Sequence, residues 1–259
     1  MSRIALLSIV AFAAATGCVD AQDEGATVKG KVVVKMSTNL GDMFLELDAD
    51  KAPKTVANFL AYAKSGHFEG TIFHRVMKDF MAQGGGFLPD YEKKRSGLAP
   101  IQNEADNGLK NTYGTLAMAR TGEPHSATAQ FFINCKDNSF LNHTSKSQQG
   151  WGYCVFGKVI AGGATLEKIR SVRVKFDPRA DSRSPARPIV PILIKKVIPI
   201  KDNDKELAVA KQLEAQHKAQ AAEEEKKALA YAQEIRKKAL AFHQDPNKGK
   251  TTATGLRYL

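Results

Sequence analysis

Between Phe73 and Phe87 the chain reads FHRVMKDFMAQGGGF, which places one cation, Arg75, and one amide, Gln83, among large apolar side chains. Eight positions separate the two, so on neighbouring strands they face one cavity, with Phe80 and Met81 beside them. A second stretch, Gln130-Phe131-Phe132-Ile133-Asn134, repeats the combination of amide and aromatic, and Met118-Ala119-Arg120 precedes it across a Gly/Pro loop. An arginine keeps its charge at any ordinary pH and offers donors only. A permanent donor and an amide set among large apolar side chains is an unusual mix. The competing reading of the same residues is an arginine paired at the surface over an ordinary aromatic core.

Other constellations carry less. His125-Ser126 and Asp137 offer the residue types of a hydrolase triad, but no nucleophile elbow surrounds the serine. The Gly84-Gly85-Gly86 run has no Walker lysine and no following helix, so it makes no phosphate cradle. Cys135 and Cys154 lie in apolar runs and read as buried small hydrophobes, with a disulfide between them left open. Without a CxxC or His/Cys ligand spacing, the sequence predicts no metal and no cofactor. His74 reads as a packed neighbour, and His67, His143, His217 and His243, which have no partner spacing, as surface residues.

The elements that must position these residues are mostly strands. Val32 to Lys35 and Met43 to Leu47 alternate around Asn39-Leu40-Gly41 as a β-hairpin. Pro53 opens a helix whose Val56, Phe59, Leu60 and Ala63 recur at helical spacing, until Gly66 supplies a left-handed stop. Strands follow at Thr71 to Val76, Phe80 to Gln83, Thr115 to Ala119, Gln130 to Asn134 and Cys154 to Val159. A short helix at about Thr165 to Ile169 and a last strand from Ile192 to Ile198, stopped by Pro191 and Pro199, complete the set. Roughly eight short strands predict a mainly β fold, a closed eight-stranded antiparallel β-barrel capped by two helices, because closure removes the sheet edges. Beyond Ile200 the composition turns to Ala, Glu, Lys and Gln, with no Gly or Pro from Lys201 to Asp245, which predicts a long C-terminal charged helix. Its Leu207, Leu213, Leu229, Ile235 and Leu240 fall in no strict heptads, so it reads as a spacer.

The 259 residues divide into a leader (1–21), a flexible tether (22–31), the strand-rich domain (32–200), the helical extension (201–248) and a tail (249–259). In the leader, Arg3 precedes an apolar stretch from Ile4 to Ala15, too short to span a bilayer comfortably but suited to a signal-peptide core. Ala15-Thr16-Gly17-Cys18 resembles the box in which bacterial lipoproteins are lipidated, although Ala15 stands where Leu is usual; Val19-Asp20-Ala21 would equally serve an ordinary signal peptidase. The expectation is an exported protein, in the bacterial periplasm or anchored to a membrane through a lipid on Cys18. The net charge of +11 does not imply nucleic acid. From Glu167 to Lys196 nine Lys/Arg face three acidic residues, mostly on a Pro/Arg/Asp/Ser loop with no series of aromatic stacking platforms, which reads as solvated.

The runs FHRVMKDFMAQGGGF, GTLAMAR, SATAQFFIN and GWGYCVFGKV, in that order, resemble the motifs of cyclophilin-type peptidyl-prolyl cis/trans isomerases of the bacterial kind, over about Val32 to Ile200. The resemblance implies a monomeric enzyme whose side groove binds proline-containing polypeptides and assists the folding of exported proteins. Carried over position by position, it implies Arg75 as the catalytic residue. It implies Phe80, Met81, Gln83, Ala119, Arg120, Thr121, Gln130, Phe132, Phe140, Leu141 and Tyr153 as the substrate-binding set. An X-Pro bond turns against a barrier of about 18–20 kcal/mol, and no bond need break, so neither nucleophile nor metal is required. Phe140 stands where many eukaryotic members have tryptophan and Tyr153 where they have histidine; these departures bear on cyclosporin affinity more than on catalysis, since phenylalanine still supplies an apolar wall. A module that grips proline-rich segments without turnover would carry the same groove. Thr251 to Leu259 resembles the opening stretch of an FKBP-type domain.

Overall fold

The computed structural model describes residues 28–95, 97–177, 186–201 and 204–243. The leader with Cys18, most of the tether and the FKBP-like stretch of the tail lie outside the described residues. The chain opens with β1 (Lys31–Thr38) and β2 (Gly41–Asp48), the expected hairpin, followed by α1 (Pro53–Lys64). Next come β3 (Phe73–Val76), β4 (Met81–Gly84), β5 (Thr115–Met118), β6 (Phe131–Asn134), β7 (Val155–Ala161) and α2 (Gly163–Arg170). The short strands β8 (Val174–Lys175) and β9 (Arg187–Pro188) precede β10 (Ile194–Ile200) and the long helix α3 (Lys205–His243).

Eight strands form one antiparallel sheet in the order β10-β1-β2-β7-β5-β6-β4-β3. Alternate side chains of each strand point to its concave face, where Val34, Met36, Leu45, Leu47, Leu116, Phe131, Ile133 and Phe156 form the main core. Helix α1 presses Val56 and Phe59 into that core and α2 adds Leu166 and Ile169. Phe59 meets Phe68 at 4.8 Å and the edge of Phe131 at 5.6 Å between ring centroids. Burying each such side chain is worth about 1.5–3 kcal/mol. Proline at its start and Gly66 (φ 69°) past its end delimit α1 as expected. Its first turn is capped from outside, by the Glu104 carboxylate, which accepts from Thr55 N at 2.9 Å and Thr55 Oγ1 at 2.7 Å.

The barrel is not closed. The sheet is a curled half-barrel whose edges, β10 and β3, meet through the single bridge Ile72↔Leu193, with Ile194 N donating to Thr71 O at 2.8 Å and Phe73 N to Ile192 O at 2.9 Å. A four-residue β3 is too short to zip along β10, and farther along Val76 N donates instead to Ala186 O, beside β9. The basic segment read as a loop also holds structure, the β8–β9 ribbon, in which Arg187 pairs with Asp177 and lies 4.0 Å over the Tyr91 ring. Phe176 in that segment is 61% exposed.

Helix α3 is rooted at its N-terminal end. Leu207, 1% exposed, packs with Val33, Phe44 and Ala161 on the outer face of the sheet; Glu206 pairs with Lys35, and Glu214 accepts from Gly163 N at 3.0 Å, capping α2. Between this root and the sheet runs an open cleft of about 990 Å³, lined by Phe44, Val159, Leu166, Val209 and Leu213 among others. Farther along, Leu229, Tyr231 and Ile235 are exposed. No helix among the described residues is long and apolar enough to cross a membrane.

Candidate active site

The convex face of β4, β6, β5 and β7 carries a second apolar cluster, separate from the main core. Met81, Ala117, Phe132, Leu141 and Val155 form it, with Phe80, Ala119 and Tyr153 packed against it. Strand pairing fixes how polar groups join it. Arg75 on β3 lies opposite Gln83 on β4, Gln83 opposite Phe132 on β6, Phe132 opposite Ala117 on β5, and Ala117 opposite Val155 on β7. Residues directly opposite share a face, so these five make one row across five strands. Arg75 and Gln83, eight residues apart, thus stand side by side in one row that continues into the apolar cluster.

At one end of the row, the half-buried Arg75 guanidinium lies over that floor, with Nη1 3.9 Å from Met81 Sδ and Cζ 5.7 Å from the Phe80 ring centroid. Beside it Gln83 Nε2 donates to Gln130 Oε1 at 2.9 Å. The glycine run has its reason here: a Cβ on Gly86 would sit 2.4 Å from Gln130 Cγ, so only glycine lets that amide lie across the strand. On the far rim Arg120 Cζ stacks 4.7 Å over Tyr153, whose ring packs nearly perpendicular to that of Phe132 with centroids 5.7 Å apart. Phe140 is 72% exposed and stacks on Phe80 at 5.6 Å, so the two rings make a wall that solvent and ligand can reach. Thr121 is the outlier among the residues the sequence singles out. It is exposed, its hydroxyl donates to Ser126 Oγ at 2.8 Å, and it joins the set through its carbonyl, which accepts from Arg120 Nη1 at 3.0 Å.

The groove's shape rests on residues that sequence reasoning missed. Asn111, Asn134 and Asn138 are buried and linked: Asn134 Nδ2 donates to Asn111 Oδ1 at 3.1 Å, and Asn138 Nδ2 to Asn134 Oδ1 at 2.7 Å. From this chain Asn138 Nδ2 reaches the Phe80 carbonyl at 2.8 Å and Asn111 Nδ2 the Leu141 carbonyl at 3.3 Å, holding two walls of the groove. The available trace was the repeat of asparagine every four residues, at 103, 107 and 111 and again at 134, 138 and 142.

Among the described residues no acid–base or nucleophilic apparatus borders the row. Burial holds His74 near pKa 3, assisted by the Arg75 charge, so it is neutral. Cys135 and Cys154 are free and buried, and burial pushes both thiols up to about 12. The triad residue types are dispersed: His125 Nδ1 accepts from Asn103 N, Ser126 Oγ donates to Glu123 O, and Asp137 accepts from Tyr113 N. Two histidines read as surface residues are not: His67 is buried with Nε2 3.2 Å from Gly85 O, and His143 is half-buried with Nδ1 3.0 Å from Trp151 O. The side chains of His217 and His243 lie outside the described residues. Among the described residues no three His, Cys, Asp or Glu side chains gather as a metal would need.

A fixed cation and an amide pair over an apolar floor can hold an uncharged chain and donate hydrogen bonds to it, without a group to cleave it. Comparison with known proteins agrees. The family described as cyclophilin type peptidyl-prolyl cis-trans isomerase/CLD matches residues 33–197. Peptidyl-prolyl cis-trans isomerase cyp18 of Streptomyces antibioticus is 59% identical over 157 residues, which cover 61% of this chain and 93% of that one. Peptidyl-prolyl cis-trans isomerase B of Escherichia coli (strain K12) is 57% identical over 140 residues, covering 54% and 85%. A crystal structure of a Cryptosporidium parvum cyclophilin type isomerase matches with a TM-score of 0.53 at 30% identity, over 66% of this chain and 99% of that one. The chain belongs to the cyclophilin-type peptidyl-prolyl cis-trans isomerases. Its reaction is rotation about X-Pro peptide bonds.

Proposed function

We propose that Arg75 is the catalytic residue and that the surrounding groove holds the prolyl ring while one half of the peptide turns. The observation that carries this reading is the row Arg75–Gln83–Phe132–Ala117–Val155, which ends an apolar, ring-sized floor in a permanent donor. A planar amide shares its nitrogen lone pair with the carbonyl; twisting the bond localises that pair on nitrogen. A guanidinium N–H directed at the prolyl nitrogen binds the twisted form better than either planar form, which is what acceleration requires. The apolar surroundings strengthen that bond relative to water. Met81, Phe132 and Leu141 form the floor for the ring, Phe80 and Phe140 a wall, and Gln83, Gln130 and the backbone at Ala119 to Thr121 anchor the chain. The Cryptosporidium parvum protein was also crystallised in the presence of the dipeptide Ala-Pro, a proline-containing ligand of the kind this groove would take. Arg75→Ala is expected to lower kcat/KM for an X-Pro peptide by about a hundredfold or more, with thermal stability nearly unchanged. An NMR exchange assay beside a melting curve measures both, and an unchanged rate would remove Arg75 from catalysis.

The clients we assign are exported polypeptides met by a monomer outside the cytoplasm, with Cys18 as the lipid anchor. This rests on the apolar leader from Ile4 to Ala15 and on the Ala15-Thr16-Gly17-Cys18 box. Intact-mass measurement of the mature chain is expected to show diacylglycerol on Cys18; a soluble chain beginning at Gln22 would contradict the anchor and keep the export.

A further inference from the structure

The twelve groove residues include two cations, Arg75 and Arg120, and no carboxylate. Arg120 is half-buried and held in place. Its Nε donates to Gly152 O at 3.0 Å, and Nη1 to Thr121 O at 3.0 Å and to Gly122 O at 3.4 Å. Its face is occupied by Tyr153, 4.7 Å away. Stacking uses the face of a guanidinium and leaves its N–H groups for in-plane acceptors, and the three backbone bonds use Nε and Nη1, which flank Nη2 on either side. Nη2 donates to no group among the described residues. No carboxylate among the described residues pairs with Arg120; the acid nearest in sequence, Glu123, accepts from Gln148 Nε2 at 3.3 Å.

A guanidinium already fixed by three carbonyls and a ring loses little further freedom when it takes a ligand. At the rim of a groove it is also partly shielded from water, where a charge-assisted bond counts for more than on open surface. We propose that Arg120 is a specificity-determining residue that selects prolyl segments carrying an acidic side chain beside the isomerised bond. The inference rests on the groove being the prolyl site and adds the class of sequence it favours. The Tyr153 ring connects the two functions, since it packs nearly perpendicular to Phe132 on the floor while its face supports the cation.

The test is a peptide series with Glu, Gln or Lys placed in turn at the two positions on each side of proline, with kcat/KM read by NMR exchange. At one position the wild-type chain is expected to prefer Glu over Lys by about fivefold at low salt, the preference shrinking as salt screens the partly exposed pair. Arg120→Gln is expected to abolish the Glu/Lys ratio and Arg120→Glu to invert it. Acceleration of every peptide with no charge preference at any position overturns this inference alone. So does a preference that survives Arg120→Gln, since it would then come from the field of other cations such as Arg75. If no peptide is accelerated, the inference falls together with the isomerase reading. Should the variants fail to fold, the salt series on the wild-type chain decides: a preference that does not weaken with salt counts against Arg120.

Discussion

His74 shows how one residue's environment sets a pH limit on the whole molecule. It is 1% exposed, its ring lies 4.5 Å from that of Phe87, and burial with the adjacent Arg75 charge lowers its pKa from 6.5 to about 3. The unfolded chain therefore binds a proton below about pH 6.5 that the folded chain refuses until about pH 3. Stability from this residue is complete above pH 6.5 and is lost as pH falls through that window, by about 1.4 kcal/mol per unit. Urea unfolding between pH 7 and 4 is expected to show this slope reduced in His74→Phe, and an equal slope would place the acid sensitivity elsewhere. At this scale the sequence was informative where chemistry and spacing coincide. Arg75 and Gln83 could be paired on one face because alternation is a local rule. The asparagines could not, because the local pair Asn134 and Asn138 gains its meaning from Asn111, twenty-three residues away, and from the remote Phe80 carbonyl.

At the scale of elements, legibility followed the number of buried faces. Strands β1 and β2, with the hairpin between them, and helix α1, with its proline start and glycine stop, were readable from period and punctuation. Strand β6 was found as an apolar run, but FFIN shows no alternation because all four residues are buried, Phe131 and Ile133 in the main core and Phe132 in the groove. That doubled burial is what makes β6 the wall shared by core and site, and a reader of sequence sees only hydrophobicity. Openness of the barrel was not legible at all. It depends on β3 being too short to pair along β10, a matter of register between segments far apart in the chain. The β8–β9 ribbon was hidden for a related reason: two-residue strands carry no period.

For the molecule as a whole, the arrangement of strands separates two surfaces. The groove belongs to the side of the sheet around β4, β6 and β5, whereas α3 roots on β1, β2 and β7. At 1.5 Å per residue the 39-residue helix is about 58 Å long, more than a spacer needs merely to clear the domain. The first strand and the last are also neighbours: Val33 lies opposite Ile200, so the path into the domain and the path out of it meet at one corner. The fold is thus a cassette, with entry and exit close enough to be spliced into a loop of an unrelated host. A permutant joining residue 200 to residue 31 through a short glycine bridge and opened between Lys146 and Ser147 is expected to melt cooperatively and to keep isomerase activity within about threefold. Failure to fold would show that β1 and β10 must be made at opposite ends of the chain. Success would mean that nature can insert this catalyst into another protein's surface without redesigning either partner.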